Sequence, residues 1–341
     1  MNIQEFIQKL PKTDLHCHLD GSMRPETILD LAREGNLPLN QLSMDELKKK
    51  LVCGELVRSL PIFLQAFDIT CSVMQTQKAL ERIAFELVED AAKENVRYLD
   101  IRYYPGFLTN LGMTQEQAIV SVQRGIESAK KKYDIEVGQI MCGIRTLDPS
   151  ANADLARIAV SMKSEGVVGY DLAGAERGFP ARAHKEAFDI AAKGGLSITI
   201  HAGEDDAPSS IWQAIDECGA LRIGHGRTLI EDEKLIQHVI EKNIFVECCP
   251  SSNVQIMLTK EFSQHPVRKL LQKGVKVTLN TDNRLLTGIV VSDEYARSAQ
   301  YLEMTQDEMK KIALNGFEAA FISADKKKTL IETAKQEIAK L

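Results

Sequence analysis

From Val96 onward, short apolar runs rich in β-branched residues alternate with longer stretches in which apolar side chains recur every third or fourth position. Runs of the first kind predict strands and stretches of the second kind predict amphipathic helices. Regular alternation of the two predicts successive βα units around a parallel sheet. The expected strands are Thr13 to Leu19, Arg97 to Tyr103, Val137 to Ile144, Val167 to Leu172, Ser197 to His201, Arg222 to His225, Ile244 to Cys248 and Val275 to Asn280. Between them lie expected helices at Gln115 to Lys132, Ala153 to Ser164, Ala181 to Lys193, Ser209 to Glu217, Asp232 to Lys242 and Pro266 to Gln272. Gly194, Gly219, Asn243 and Gly274 are the expected terminators, being residue types that close helices.

Eight strands of this kind in a chain of 341 residues suit one α/β domain over residues 1–341, a (β/α)8 TIM barrel, since that architecture fills about 250 residues and tolerates large insertions. The rhythm breaks once, between the helix beginning at Pro25 and the second strand. Leu37 to Thr76 is expected to hold extra short helices, a helical insertion after strand 1. It would lie over the C-terminal mouth as a lid, with a packing decoration as the alternative reading. Residues after Ser292 read as extra C-terminal helices, with Lys326, Lys327 and Lys328 on a solvated face.

Composition narrows the function. Apolar residues at 44% and charged residues at 26% are ordinary globular usage. A net charge of −6 argues against a nucleic-acid partner, which calls for a basic face. The seven cysteines (17, 53, 71, 142, 218, 248 and 249) are scattered and contain no C-x-x-C pair, which favours a reducing compartment. No basic leader precedes an apolar segment and no run reaches the ~20 apolar residues of a membrane span. The expected setting is cytoplasmic, without membrane attachment, and the oligomeric state is not readable.

Polar residues then fall at the strand ends. His16 and His18 stand at i and i+2, so along a strand both point to one side and can grip one metal ion. His201 at the end of strand five and Asp282 after strand eight complete three nitrogen donors and one carboxylate, a set that suits zinc and leaves room for a water. Such an ion lowers the pKa of bound water from 15.7 toward ~7. Glu204, three residues beyond His201, is the natural proton donor if burial raises its pKa. His225, between Gly224 and Gly226, can accept the proton of that water or orient it. Cys17 alternates away from the site and reads as core. His184, His238 and His265 are expected to do nothing chemical, Asp171 reads as an acid that supports a ligand from behind or as a structural one, Trp212 reads as packing, and Arg102, placed to contact the lid or pair with an acid, has no assigned role.

Thr13-Asp14-Leu15-His16-Cys17-His18-Leu19-Asp20-Gly21-Ser22, His201-Ala202-Gly203-Glu204, Gly224-His225-Gly226 and Leu279-Asn280-Thr281-Asp282 resemble, in order and spacing, the signatures of the adenosine deaminases. Val168 to Gly174 and Cys249-Pro250-Ser251-Ser252-Asn253 extend the resemblance over nearly the whole chain. The resemblance implies a (β/α)8 barrel with one zinc ion per chain that converts adenosine, and usually 2′-deoxyadenosine, to inosine and ammonia in purine salvage. It assigns zinc to His16, His18, His201 and Asp282, protonation of purine N1 to Glu204, and assistance of the attack on C6 to His225. His18 also borders the substrate, the Gly174 N–H meets purine N3, and Asp20 accepts from the ribose 5′-hydroxyl. The chain departs from the family pattern at Asn283, where many members carry Asp against purine N7; an amide can donate to N7 without a titratable proton.

Three rival readings remain. Related deaminases act on adenine, methylthioadenosine, an aminofutalosine-type nucleoside or AMP, and AMP fits least because Asp20 would repel a phosphate. A binuclear metallohydrolase would bring a bridging lysine on strand four, and Val167 to Leu172 contains none. A non-catalytic nucleoside-binding barrel would be expected to have lost a ligand or the acid.

Overall fold

The computed structural model describes residues 1–51, 54, 56–57 and 60–341, and the side chains of all of these except 60–64. Cys53 lies outside the described residues. Among the described residues, eight parallel strands follow one another around a barrel: β1 Lys12–His18, β2 Val96–Tyr103, β3 Glu136–Ile144, β4 Val167–Ala173, β5 Ser197–Ala202, β6 Arg222–His225, β7 Phe245–Cys248 and β8 Lys276–Leu279. Each pairs in parallel with its neighbour in sequence. Closure runs through Asp282, whose N–H donates to the His16 carbonyl at 2.8 Å and whose carbonyl accepts from the His18 N–H at 2.7 Å. The two ends of the sheet therefore meet at three of the four expected metal ligands. The expected (β/α)8 barrel is the observed fold.

Helix boundaries shift for local reasons. The helix expected from Ala153 begins at Pro149, because Asp148 caps it by accepting from the Ser150 N–H and proline is well suited to the first helical position. The stretch expected as one helix from Ala181 splits into a 3-10 turn, Ala181–His184, and a helix, Lys185–Lys193. The left-handed terminator of that helix is Gly195 (φ 78°), one residue beyond the expected Gly194. Ile3–Lys9 and the 17-residue helix Gln77–Lys93 were not anticipated.

The insertion after β1 contains Pro38–Gln41, Met44–Lys50 and Leu60–Val73. Its backbone returns to the loops after β8 and β7: the Gly54 N–H bonds the Leu286 carbonyl at 2.9 Å and the Val57 N–H bonds the Gln255 carbonyl at 2.8 Å. It thus lies across the C-terminal mouth. The C-terminal helices are Val291–Leu302, Gln306–Ala319 and Ala324–Ile338.

Around the barrel, Gln115–Lys130 packs on Gln77–Lys93 with backbones in near contact. A Cβ at Gly125 would lie 2.3 Å from the Glu81 carbonyl oxygen and 2.8 Å from the Ala84 Cβ. Gly125→Ala is therefore expected to cost ~1–3 kcal/mol through overpacking. A lowered denaturation midpoint with unchanged activity in the folded protein is the expected result.

The barrel interior beneath the mouth is polar. Arg222 is buried between Asp100 (2.8 Å) and Glu247 (2.6 Å), with its guanidinium 3.6 Å from the centre of the Phe321 ring. Arg102, also buried, pairs with Asp171 and Glu247 at 2.8 Å each. Buried charges of this kind are tolerated only when paired. This ionic layer forms the floor on which the candidate site rests.

Candidate active site

β1 delivers His16 and His18 inward while Cys17, between them, is fully buried on the opposite side, as strand alternation requires. β5 ends at His201 and Ala202, β6 at His225, and Asp282 follows β8. The His18 Nε2 lies 3.2 Å from the His201 Nε2 and 3.4 Å from the Asp282 Oδ1, and the His16 Nε2 lies 3.6 Å from the same Oδ1. One donor atom from each of the four falls within 4.8 Å of the others. Donors bonded to one tetrahedral zinc at 2.0–2.2 Å are separated by about 3.3–3.6 Å, so these three spacings fit such an ion.

The partners of the imidazoles tell the same way. The His16 Nδ1 faces Glu247 Oε2 at 2.9 Å, and its Nε2 is buried with no hydrogen-bond partner. The His201 Nδ1 lies 3.0 Å from Asp171 Oδ2. Carboxylates at both Nδ1 atoms select the tautomer whose Nε2 lone pair faces the centre. Burial, reinforced by neighbouring cationic groups, holds His16 and His18 well below the usual imidazole pKa, so both present lone pairs at neutral pH. Burial raises Asp282, although Ser252 donates to its Oδ2 at 2.6 Å. A dication favours its ionised form. A second grouping, His16 with His225 and Cys249, is a poorer fit, because burial drives the Cys249 thiol far above its ordinary pKa.

Arg102 joins the two supporting acids. Its guanidinium bridges Asp171 behind His201 and Glu247 behind His16. Burial raises the pKa of Asp171, but His201 and Arg102 outweigh it and hold that carboxyl below the usual range. Asp171 thus stands directly behind His201, and Arg102 pairs with two acids, each as one of its sequence readings allowed. Glu247, behind His16, is also in contact with the candidate site, and its signal was a charged residue within an apolar strand.

Glu204 stands beside this centre. Burial first, then the nearby carboxylates of Asp282 and Glu176, raise its pKa well above the ordinary value, favouring the acid form. Its Oε1 lies 3.5 Å from the His225 Nε2. His225 (φ 62°) and Asp282 (φ 61°) both occupy the left-handed region, strained backbone of the kind found at functional sites. The flanking glycines have distinct reasons. A Cβ at Gly224 would come 2.9 Å from the His16 ring, and Gly226 is left-handed with Val246 2.5 Å from where its Cβ would be.

A hydrogen-bond chain assigns the His225 proton. The Val267 N–H donates to His265 Nδ1 at 3.3 Å, leaving the His265 Nε2 to donate to Asn253 Oδ1 at 3.2 Å. The Asn253 amide then donates to His225 Nδ1 at 3.2 Å. His225 therefore carries its hydrogen on Nε2, facing the site. His265 is connected to the centre through Asn253. His184 instead contacts Asn152 and the Arg145 carbonyl, and His238 contacts Asp216.

The expected substrate contacts lie around the same rim. Asp20 falls beyond the end of β1 yet remains near Asp282; burial raises its pKa to about 7, and its Oδ1 is buried without a partner among the described residues. Gly174 (φ 95°) follows β4 and is exposed. Asn283 is buried, hydrogen-bonds the Asp282 carboxylate, and packs so tightly on Gly21 that a Cβ there would sit 1.9 Å from its Oδ1.

A barrel with a largely buried His3Asp cluster, a carboxyl of raised pKa and an oriented imidazole at its C-terminal mouth defines a hydrolase of the amidohydrolase type. The family model "Adenosine deaminase" matches residues 11–337, and the chain belongs to the adenosine deaminase family. An adenosine deaminase of Clostridium acetobutylicum is 37% identical over 332 residues, covering 97% of this chain and 99% of that protein. A probable adenosine deaminase of Dictyostelium discoideum is 38% identical over 318 residues, 93% of this chain but 41% of the longer protein. Among solved structures, adenine deaminase from Arthrobacter aurescens superposes with a TM-score of 0.90 at 25% identity, covering 97% of this chain and 99% of that one.

Proposed function

We propose that this chain catalyses the hydrolytic deamination of adenosine, and of 2′-deoxyadenosine, to inosine and ammonia, with one zinc ion held by His16, His18, His201 and Asp282. The observation that carries this reading is the convergence of those four donors, within 4.8 Å of one another, beside Glu204, whose pKa burial raises. When bound, such an ion supplies an activated water at neutral pH. Glu204 gives its proton to purine N1, drawing electron density from C6 so that addition of oxygen there yields a neutral tetrahedral carbon. The His225 Nε2–H donates to the attacking oxygen and orients it. The proton of the added hydroxyl then passes to N6, the C6–N6 bond breaks as the C6 carbonyl forms, and ammonia departs.

The remaining residues position the purine nucleoside. The Gly174 N–H donates to N3, Asp20 accepts from the ribose 5′-hydroxyl, and His18 borders the substrate. One hydrogen of the Asn283 amide meets Asp282 while the other is available to N7. Asn283→Asp is expected to stay active with an altered pH profile, because a carboxyl must be protonated to donate to N7. Complete inactivity of the folded variant would contradict the N7 contact.

This reading includes a single barrel domain over residues 1–341 and a cytoplasmic step of purine salvage. Among the described residues no helix is long and apolar enough to cross a membrane. Adenine is the second reading, favoured by the likeness to the Arthrobacter aurescens enzyme. Following ultraviolet absorbance on adenosine, adenine and AMP separates the readings: the nucleoside reading expects adenosine to react fastest, and preference for the free base would overturn it.

A further inference from the structure

Four consecutive backbone amides in the turn that carries Glu204 point at one internal carboxylate. Glu176, buried two residues beyond Gly174, accepts from the Gly203 N–H at 2.6 Å and the Ser210 hydroxyl at 2.5 Å through Oε1. Its Oε2 accepts from the N–H groups of Glu204, Asp205 and Asp206 at 3.0, 2.9 and 3.1 Å. Convergent N–H groups of this kind form an anion cradle, and here it is filled by a side chain from the neighbouring βα loop. The carbonyls of the same turn are held from outside. Arg227 donates to the Glu204 carbonyl at 2.9 Å, Arg177 to that of Asp205 at 2.6 Å, and Thr228 to that of Asp206 at 3.0 Å.

We propose that Glu176 is a positioning residue that ties the loop bearing Gly174 to the turn bearing Glu204, holding the contact to purine N3 and the proton donor to N1 at a fixed spacing. This rests on the roles given to Gly174 and Glu204 above. The two purine atoms belong to one six-membered ring, so a single anchor between the loops serves both contacts at once. Both carboxylate oxygens are committed, which makes the acid irreplaceable by its amide. In either orientation a glutamine would present its NH2 to the Gly203 N–H or to the other three amides. Donor facing donor loses the bonds and leaves buried groups unsatisfied.

The test compares Glu176→Gln and Glu176→Asp with the parent enzyme, measuring kcat, KM, zinc content and hydrogen exchange of residues 203–206. The expected result for both is a fall in kcat of about 10²-fold, the scale of an ångström misplacement, with KM changed less. Exchange is expected to quicken at amides 203–206 while zinc content stays unchanged. Ser210→Ala, which removes one of the five donors, should lower kcat by only about two- to tenfold and keeps the proposal testable if the Glu176 variants do not fold. Unchanged kcat, or exchange that quickens throughout the barrel rather than at this turn, would overturn it. Glu204→Gln is the control: it should retain the amide protection and lose activity. Full activity of that variant would instead sink the assignment of Glu204 as proton donor, whatever the Glu176 variants do.

Discussion

Glu204→Gln is expected to lower kcat on adenosine by about 10²–10⁴-fold, the range for loss of a general acid, while the protein folds normally and keeps its zinc. Gln preserves the shape and the turn geometry but has no proton to give to N1. The pH dependence of the parent enzyme should carry the same signature. The reactive form of Glu204 is the acid, and burial together with the carboxylates of Asp282 and Glu176 raises its pKa. Activity therefore persists above the ordinary carboxyl range and falls as pH rises through the raised value, where the proton is lost. A rate that increased steadily through the alkaline range, or a fully active Gln variant, would show that N1 is not protonated by this residue.

Arg102→Met is expected to damage both stability and metal binding. The guanidinium is fully buried and bridges Asp171 and Glu247 at 2.8 Å each. Its removal leaves Asp171 without its buried cation and Glu247 with Arg222 alone, at an expected cost of ~3–5 kcal/mol. Those carboxylates orient His201 and His16, so zinc affinity should fall about 10–100-fold. Asp171 also makes the effect depend on pH. Its pKa is held down in the folded protein, so its contribution is present above the unfolded value and is lost as pH falls through the acid range. Chemical denaturation of the parent and the variant, combined with zinc competition by a chelator, measures both quantities. Parent-like zinc affinity in folded Arg102→Met would mean that the ionic floor does not orient the ligands.

Most of the barrel was legible because its signals are local. Period-two placement of His16 and His18, apolar runs ending at His201 and His225, and the interruption after Pro25 each depend on neighbours in sequence. Helix starts were less legible where a cap competed with apolar periodicity, as Asp148 and Pro149 did at the helix expected from Ala153. The site itself divides in the same way. Residues at strand ends could be named from position, whereas the partners of the residues supporting them could not, because those partners are remote in sequence. Asp171 meets His201 across 30 residues, Arg102 meets Glu247 across 145, and Glu247 meets His16 across 231. Arg102 and Glu247 did carry a usable signal: a charged residue inside a strand buried on both faces needs a partner. Glu176 and His265 carried none, since a loop acid and a loop histidine acquire meaning only from what they touch.

In the proposed reaction, hydrolysis at purine C6 requires one zinc ion gripped by His16, His18, His201 and Asp282. Titrating zinc into chelator-treated protein while following adenosine absorbance, with bound metal quantified at each point, measures that requirement. Activity should be abolished by chelation and return in proportion to bound zinc, reaching its plateau at one ion per chain. Full turnover by metal-free protein, or a plateau reached only at two ions per chain, would contradict it.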